Sequence, residues 1–148
     1  MDFVVEYGCL KECQGSRNVR KIVIPENVYK MEENIFDDFP KLEKIVLPKG
    51  FYAIEGRQFS NCPSLREVII PESVTSIRWY AFRNCKQLQN LVLPEKLETI
   101  GYGVFQNCES LTKIFIPKSV HSIDSNAFWG CSSLTSLTIP NSVTKIGG

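Results

Sequence analysis

Six cysteines and a single histidine are the side chains of this 148-residue chain best suited to chemistry. A thiol becomes a catalytic nucleophile only beside a base that a third group orients. His121 is the one candidate base, and it occupies a variable place filled elsewhere by Thr75, Glu98 and Thr144, so it is expected to face solvent. Four of the thiols, Cys62, Cys85, Cys108 and Cys131, are expected inside, away from it. Cys9-x-x-x-Cys13 lacks the spacing and the second ligand pair of a zinc site, which leaves a surface or core thiol role. Gly101-Tyr102-Gly103 has neither the lysine nor the further glycine of a phosphate loop and reads as a turn. No catalytic residue, metal site or cofactor site is expected from these residues.

What must position them is a repeat. Prolines fall 23 residues apart at Pro25, Pro48, Pro71, Pro94, Pro117 and Pro140, with no insertion or deletion. Phe36, Phe59, Phe82, Phe105 and Phe128 share the interval, and so do the four cysteines just named. A short fixed period is the mark of a solenoid, which offers a long surface rather than a cleft, so its default work is binding. Cysteines repeated at one position read as small buried apolar residues and are expected reduced. Stacked neighbours about 4.8 Å apart nevertheless lie within disulfide reach.

Charge narrows the partner. Lys and Arg number 17 against 16 Asp and Glu, a net charge of +1. A nucleic-acid surface needs a basic excess to displace counterions, so none is expected. No apolar run approaches the length of about 20 residues that a membrane helix needs, so no membrane insertion is expected. The opening Met1-Asp2-Phe3-Val4-Val5-Glu6 has no basic n-region and is not a signal peptide. Either the protein stays in the cell or a signal lies beyond this chain.

Within each unit, stretches such as Leu88-Gln-Asn-Leu91-Val92-Leu93-Pro94 and Leu111-Thr-Lys-Ile114-Phe115-Ile116-Pro117 keep aliphatic residues at positions one, four and six. That is the L-x-x-L-x-L strand of a leucine-rich repeat. Proline ends it, because it cannot donate to a ladder. Ser73-Val74-Thr75-Ser76-Ile77 and its equivalents predict a short extended return segment. Ala81-Phe82-Arg83-Asn84-Cys85 predicts one helical or 3₁₀ turn with Phe and Cys inward. The pattern degrades toward the N-terminus, where Phe51 replaces Val, Gln58 replaces Ala, Met31 replaces Ile and Phe39 replaces Cys. Residues 1–18 fall outside the period and are expected to form a capping hairpin, with residues 19–148 as the array. The array stops inside its last repeat. A piece of a longer protein explains this; the alternative is end-to-end self-association through the uncapped end.

These residues resemble the BspA-like leucine-rich repeat family, also called the Treponema pallidum type. Its pattern runs roughly L-x-x-I-x-I-P-x-S-V-T-x-I-G-x-x-A-F-x-x-C. Residues 88–108 follow it with Leu97 for Val and Val104 for Ala, and the match extends over residues 19–146. The segment from Phe3 to Gly15 looks like the lead-in such domains carry. Arg78 and Asp124 depart from the pattern by replacing the glycine after Ile, and Cys13 sits where an aromatic residue is common. The resemblance implies a right-handed leucine-rich-repeat solenoid with a parallel sheet of about six strands and short extended or 3₁₀ returns. It also implies a non-enzymatic, adhesion-type protein-binding module at a bacterial cell surface or secreted. The family pattern transfers no residue that carries chemistry.

Two surfaces are candidate contact sites. The fifth strand position points away from the core yet holds Val23, Val46, Ile69, Val92 and Phe115, with Thr138 last. Stacked strands place these in one apolar column, bordered by residues such as Lys44 and Lys113, which is the anatomy of a binding patch. The plainer reading is that β-branched residues suit any strand. The second candidate is the aromatic set Trp79, Tyr80, Tyr102 and Trp129; Trp79 and Tyr102 are repeat equivalents expected to stack. Such rings suit recognition, though packing of the returns accounts for them equally well. The competing function is a structural spacer with no ligand of its own, and an enzyme accessory domain is a third.

Overall fold

A computed structural model describes residues 1–148 as a β-solenoid of about six coils without a helix. Twelve short strands form three sheets. The chain opens with an antiparallel hairpin, β1 (Asp2–Glu6) and β2 (Cys9–Gln14), turned at Tyr7 and Gly8. Parallel to β2 runs β4 (Lys30–Met31), in the register Leu10 to Met31. The strand-side sheet stacks β3 (Lys21–Val23), β5 (Lys44–Val46), β7 (Glu67–Ile69) and β9 (Asn90–Leu91). On the opposite side the return sheet stacks β6 (Ala53–Ile54), β8 (Ser76–Ile77), β10 (Thr99–Ile100), β11 (Ser122–Ile123) and β12 (Lys145–Ile146). Each parallel pair among the coils joins residues 23 apart, as in Ile22 to Ile45 and Ile77 to Ile100.

The repeated residue types explain each segment. Proline ends the strand and its carbonyl closes the next turn, as where the Val74 amide donates to Pro71 at 3.2 Å and Leu97 to Pro94 at 3.0 Å. The Phe-to-Cys stretch is a run of turns closed by i to i+3 bonds, such as Cys85 N–H to Phe82, and never grows into a helix. Two columns of left-handed backbone allow the chain to bend there. One holds Asn34, Arg57, Tyr80, Gly103 and Asn126; the other holds Asn61, Asn84, Asn107 and Gly130. Asparagine tolerates this conformation by bonding locally. In the second column the side chains also form a ladder, Asn84 Nδ2 to Asn61 Oδ1 at 2.8 Å and Asn107 Nδ2 to Asn84 Oδ1 at 2.9 Å. Gly130 ends it, since a Cβ there would meet Asn107 Oδ1 at 2.3 Å.

The interior is one continuous core. Leu42, Leu65, Leu88 and Leu111 form one fully buried column. Phe36, Phe59, Phe82, Phe105 and Phe128 stack nearly parallel, with centroids 5.7, 5.1, 5.7 and 5.4 Å apart. Beside them the thiols of Cys85, Cys108 and Cys131 donate to the Phe carbonyl of the preceding coil, Cys85 to Phe59 at 2.9 Å. Cys9 and Cys13 are buried too, and all six thiols are free.

Burial raises five of the thiols, Cys13 and the four of the ladder. Cys62 and Cys85 stand well above their ordinary 9.0, and Cys13 and Cys131 are pushed up to about 11. The folded chain thus keeps protons that the unfolded chain releases, so their contribution is whole below about pH 9 and declines as pH climbs through 11. The urea midpoint should fall when pH is raised from about 8 to about 10.5. Near pH 7.5 a thiol reagent should label the ladder only after unfolding, because the thiolate is the nucleophile. Rapid labelling of the native protein would contradict this placement.

The strand-side sheet departs from the expected six strands: hydrogen-bonded pairing ends with β9, and four strands carry the ladder. Turn and return columns stay bonded through the later coils, so those coils remain joined there while their strand sides lack backbone hydrogen bonds.

A second departure lies at the N-terminal end. Elsewhere in the return sheet the amide after each strand bonds the preceding coil, as Arg78 does to Ile54 at 2.8 Å and Gly101 to Ile77 at 2.9 Å. Between β4 and β6 that bond is replaced by a relay. The Glu55 amide donates to Gln58 Oε1 at 3.1 Å, and Gln58 Nε2 donates to the Met31 carbonyl at 2.6 Å. Fully buried Gln58, where other coils have Ala81, Val104 and Ala127, is the bridge.

Candidate functional site

The strand positions set the apolar column by their two-residue alternation. Ile45, Val68 and Leu91 turn inward, and their successors Val46, Ile69 and Val92 turn outward. Exposure along the column is uneven. Val46 is half-buried, Val23 and Ile69 are more open, and Val92 and Phe115 reach 79% and 72%. The open end coincides with the loss of strand pairing. Hollows of about 520 and 670 Å³ flank Phe115, one toward Val92 and one toward Thr138.

Charge is distributed unevenly along the border. Lys44 pairs with Glu67 at 2.5 Å and half-closes the middle of the column. Lys113 has no carboxylate partner; its ammonium sits 4.9 Å from the Phe115 ring centroid. A cation on a ring that is itself exposed leaves both groups facing solvent. Four surface ion pairs, such as Arg20 with Glu43 and Lys86 with Glu109, join repeat equivalents one coil apart. Exposed pairs of this kind add at most about 1 kcal/mol each.

The aromatic set sits on the return side. Trp79 and Tyr102 do not stack on each other as expected. Tyr80 stands between them, edge-on to both at 6.2 and 5.2 Å. The cause is one residue of backbone: Tyr80 adopts the left-handed conformation, which swings its ring into the gap. Around it Arg57 lies 5.0 Å from the Trp79 centroid, Arg83 lies 4.9 Å from that of Tyr80, and Asn126 donates to the Tyr102 hydroxyl at 2.9 Å. Gly56 lets the indole lie against the backbone, since a Cβ there would meet the Trp79 ring at 2.4 Å. These rings bind one another. Trp129 lies outside the cluster, exposed. Of the residues singled out from the sequence, Val92, Phe115 and Lys113 converge on one open region; Trp79 and Tyr102 form a separate, internally satisfied group.

His121 is exposed, and its place in the coil faces solvent. No three of the His, Cys, Asp and Glu side chains gather into a group that would hold a metal ion.

Sequence-pattern comparison matches residues 53–148 to the BspA type leucine-rich repeat region, in six copies. No match is found among curated proteins. The fold is similar to that of a T. pallidum leucine-rich repeat protein, with a TM-score of 0.83 and 26% identity over 94% of this chain and 73% of that one. A leucine-rich cell surface protein of Faecalibacterium prausnitzii gives a TM-score of 0.80 at 24% identity, over 98% of this chain and 48% of that one. A leucine-rich repeat protein of Bacteroides ovatus gives 0.64 at 28%, over 88% and 40%. The chain thus spans less than half the length of the last two. With its 23-residue frame, its stacked Phe and Cys columns and these matches, the chain belongs to the BspA-type leucine-rich repeat family.

Proposed function

We propose that this chain is a non-enzymatic protein-binding module whose contact surface is the apolar strand column, centred on Val92 and Phe115. One observation carries the reading: two large apolar side chains in adjacent coils stand largely exposed, next to a lysine without a carboxylate partner. Exposed apolar groups with a charged rim are the common form of a protein contact. In this reading residues 1–18 cap the array and residues 19–148 present the surface. Placement at a bacterial cell surface, named for one similar protein, is extended to this chain as part of the same proposal.

A spacer reading predicts indifference to surface substitution. Val92→Glu and Phe115→Glu should leave the urea midpoint nearly unchanged, because neither side chain packs inside. Against a panel of purified extracellular-matrix and bacterial surface proteins, wild type should bind at least one, and each variant should weaken that binding about tenfold or more. Binding that survives both substitutions, with folding intact, removes the column as the interface. A panel that wild type ignores throughout favours the spacer.

A further inference from the structure

Strand-side hydrogen bonding is regular in the first coils. The amides of Glu43 and Lys44 donate to Arg20, those of Arg66 and Glu67 to Glu43, and those of Gln89 and Asn90 to Arg66. Farther along the strand Ile24 donates to Val46 at 2.9 Å and Leu47 to Ile69 at 3.1 Å. One coil later the series stops. The N–H groups from Thr112 through Ile116 bond no protein acceptor, Leu93 does not reach Phe115, and Ile116 does not reach Thr138. Neighbouring turns hold meanwhile, as Asn107 donates to Trp129 at 2.8 Å and Gly147 to Ile123 at 2.9 Å. A row of unpaired backbone groups beside exposed apolar side chains is a template for another strand.

We propose that the strands opened between Asn90 and Ile139 take up an extended segment of an acidic partner protein by strand addition. Free amides from Thr112 to Ile116 bond its backbone, and the side chains on its outer face meet Phe115 and Lys113, which share that face. The acidic character follows from charge. Lys113 and Lys118 line the larger hollow, neither has a carboxylate partner, and no carboxylate lines that hollow. The smaller hollow has one acidic group, Glu95, opposed by Lys118. This inference rests on the column being a contact surface and adds the means of contact: backbone pairing to an acidic, apolar strand.

Hydrogen exchange on the protein alone tests the opening. Amides of Lys113 to Ile116 should exchange at least about tenfold faster than those of Ile24 and Leu47, which are bonded. Equal protection overturns the proposal. The second arm uses a labelled probe peptide of alternating Glu, Val and Thr, followed by fluorescence anisotropy. It should bind and slow the Lys113 to Ile116 amides. N-methylation of its alternate amides should weaken binding about tenfold or more, as should Lys in place of its Glu residues. Lys113→Glu should weaken binding of the acidic probe and strengthen that of the basic one. Equal binding of the methylated probe overturns strand addition while leaving the column as a contact surface. Loss of both probes in Phe115→Glu would support that surface alone. No binding by any probe overturns the proposal, and so does slowing of these amides with protein concentration in the absence of peptide, which would assign the strands to a second copy.

Discussion

Phe82→Ala should destabilise the protein by about 3–5 kcal/mol, among the largest losses expected from any single truncation. The ring is fully buried and lies between Phe59 at 5.1 Å and Phe105 at 5.7 Å. Two features prevent the site from collapsing. Both neighbouring coils are held at fixed separation by backbone bonds, Phe59 N–H to Ala81 at 2.9 Å and Phe82 N–H to Val104 at 2.9 Å. The rings on either side are pinned by their own neighbours farther along the stack. A cavity therefore remains, and its cost adds to the lost transfer energy. Urea unfolding followed by circular dichroism measures the effect. Phe128→Ala serves as the internal comparison, because that ring is only partly buried and has a stacked neighbour on one side. A loss at Phe82 no greater than at Phe128 would refute the picture of a closed stack.

The second large effect runs against the repeat consensus. Substitution toward the commonest residue of a repeat ordinarily stabilises. Gln58→Ala installs the residue that Ala81 and Ala127 already show, yet it should cost about 2 kcal/mol or more. Removing the amide strips the Met31 carbonyl and the Glu55 N–H of their partners at one stroke. A buried polar group left unbonded costs about 1–3 kcal/mol. A drop in the urea midpoint should accompany faster hydrogen exchange at Glu55, and the return sheet from Ser76 onward should keep its protection. A neutral or stabilising outcome would mean that β4 and β6 can close on each other directly.

Gln58 also shows what the sequence could and could not convey. The frame was legible because Pro, Phe and Cys recur at one interval, and stacking makes each column chemically uniform. Within that frame Gln58 reads as decay of the pattern. Only the missing bond between β4 and β6 gives it a role, and a missing backbone bond leaves no trace in side-chain identity. Loss of strand pairing after Leu91 was hidden for the same reason. Leu88 to Leu93 and Leu111 to Ile116 carry equivalent aliphatic residues, so nothing in either marks a separation of coils. The asparagine ladder was more accessible, since Asn61-Cys62, Asn84-Cys85 and Asn107-Cys108 repeat in plain view. The other left-handed column was not, because Arg57, Tyr80 and Gly103, unlike in chemistry, separate Asn34 from Asn126. That concealment led the expected Trp79 to Tyr102 stack astray. Of the candidate surface, outward orientation followed from the two-residue alternation, but the concentration of exposure at Val92 and Phe115 came from tertiary spacing.

The unbroken 23-residue interval has a consequence for heredity. Each coil finds all its partners one interval away on either side, so a gene segment encoding one interval can be gained or lost whole by unequal recombination. Its flanks then meet the same leucines, phenylalanines and prolines as before. A slip that is not a whole number of intervals would break the columns where it falls. Such a gene can therefore alter the reach of its product in discrete steps while each intermediate length still folds.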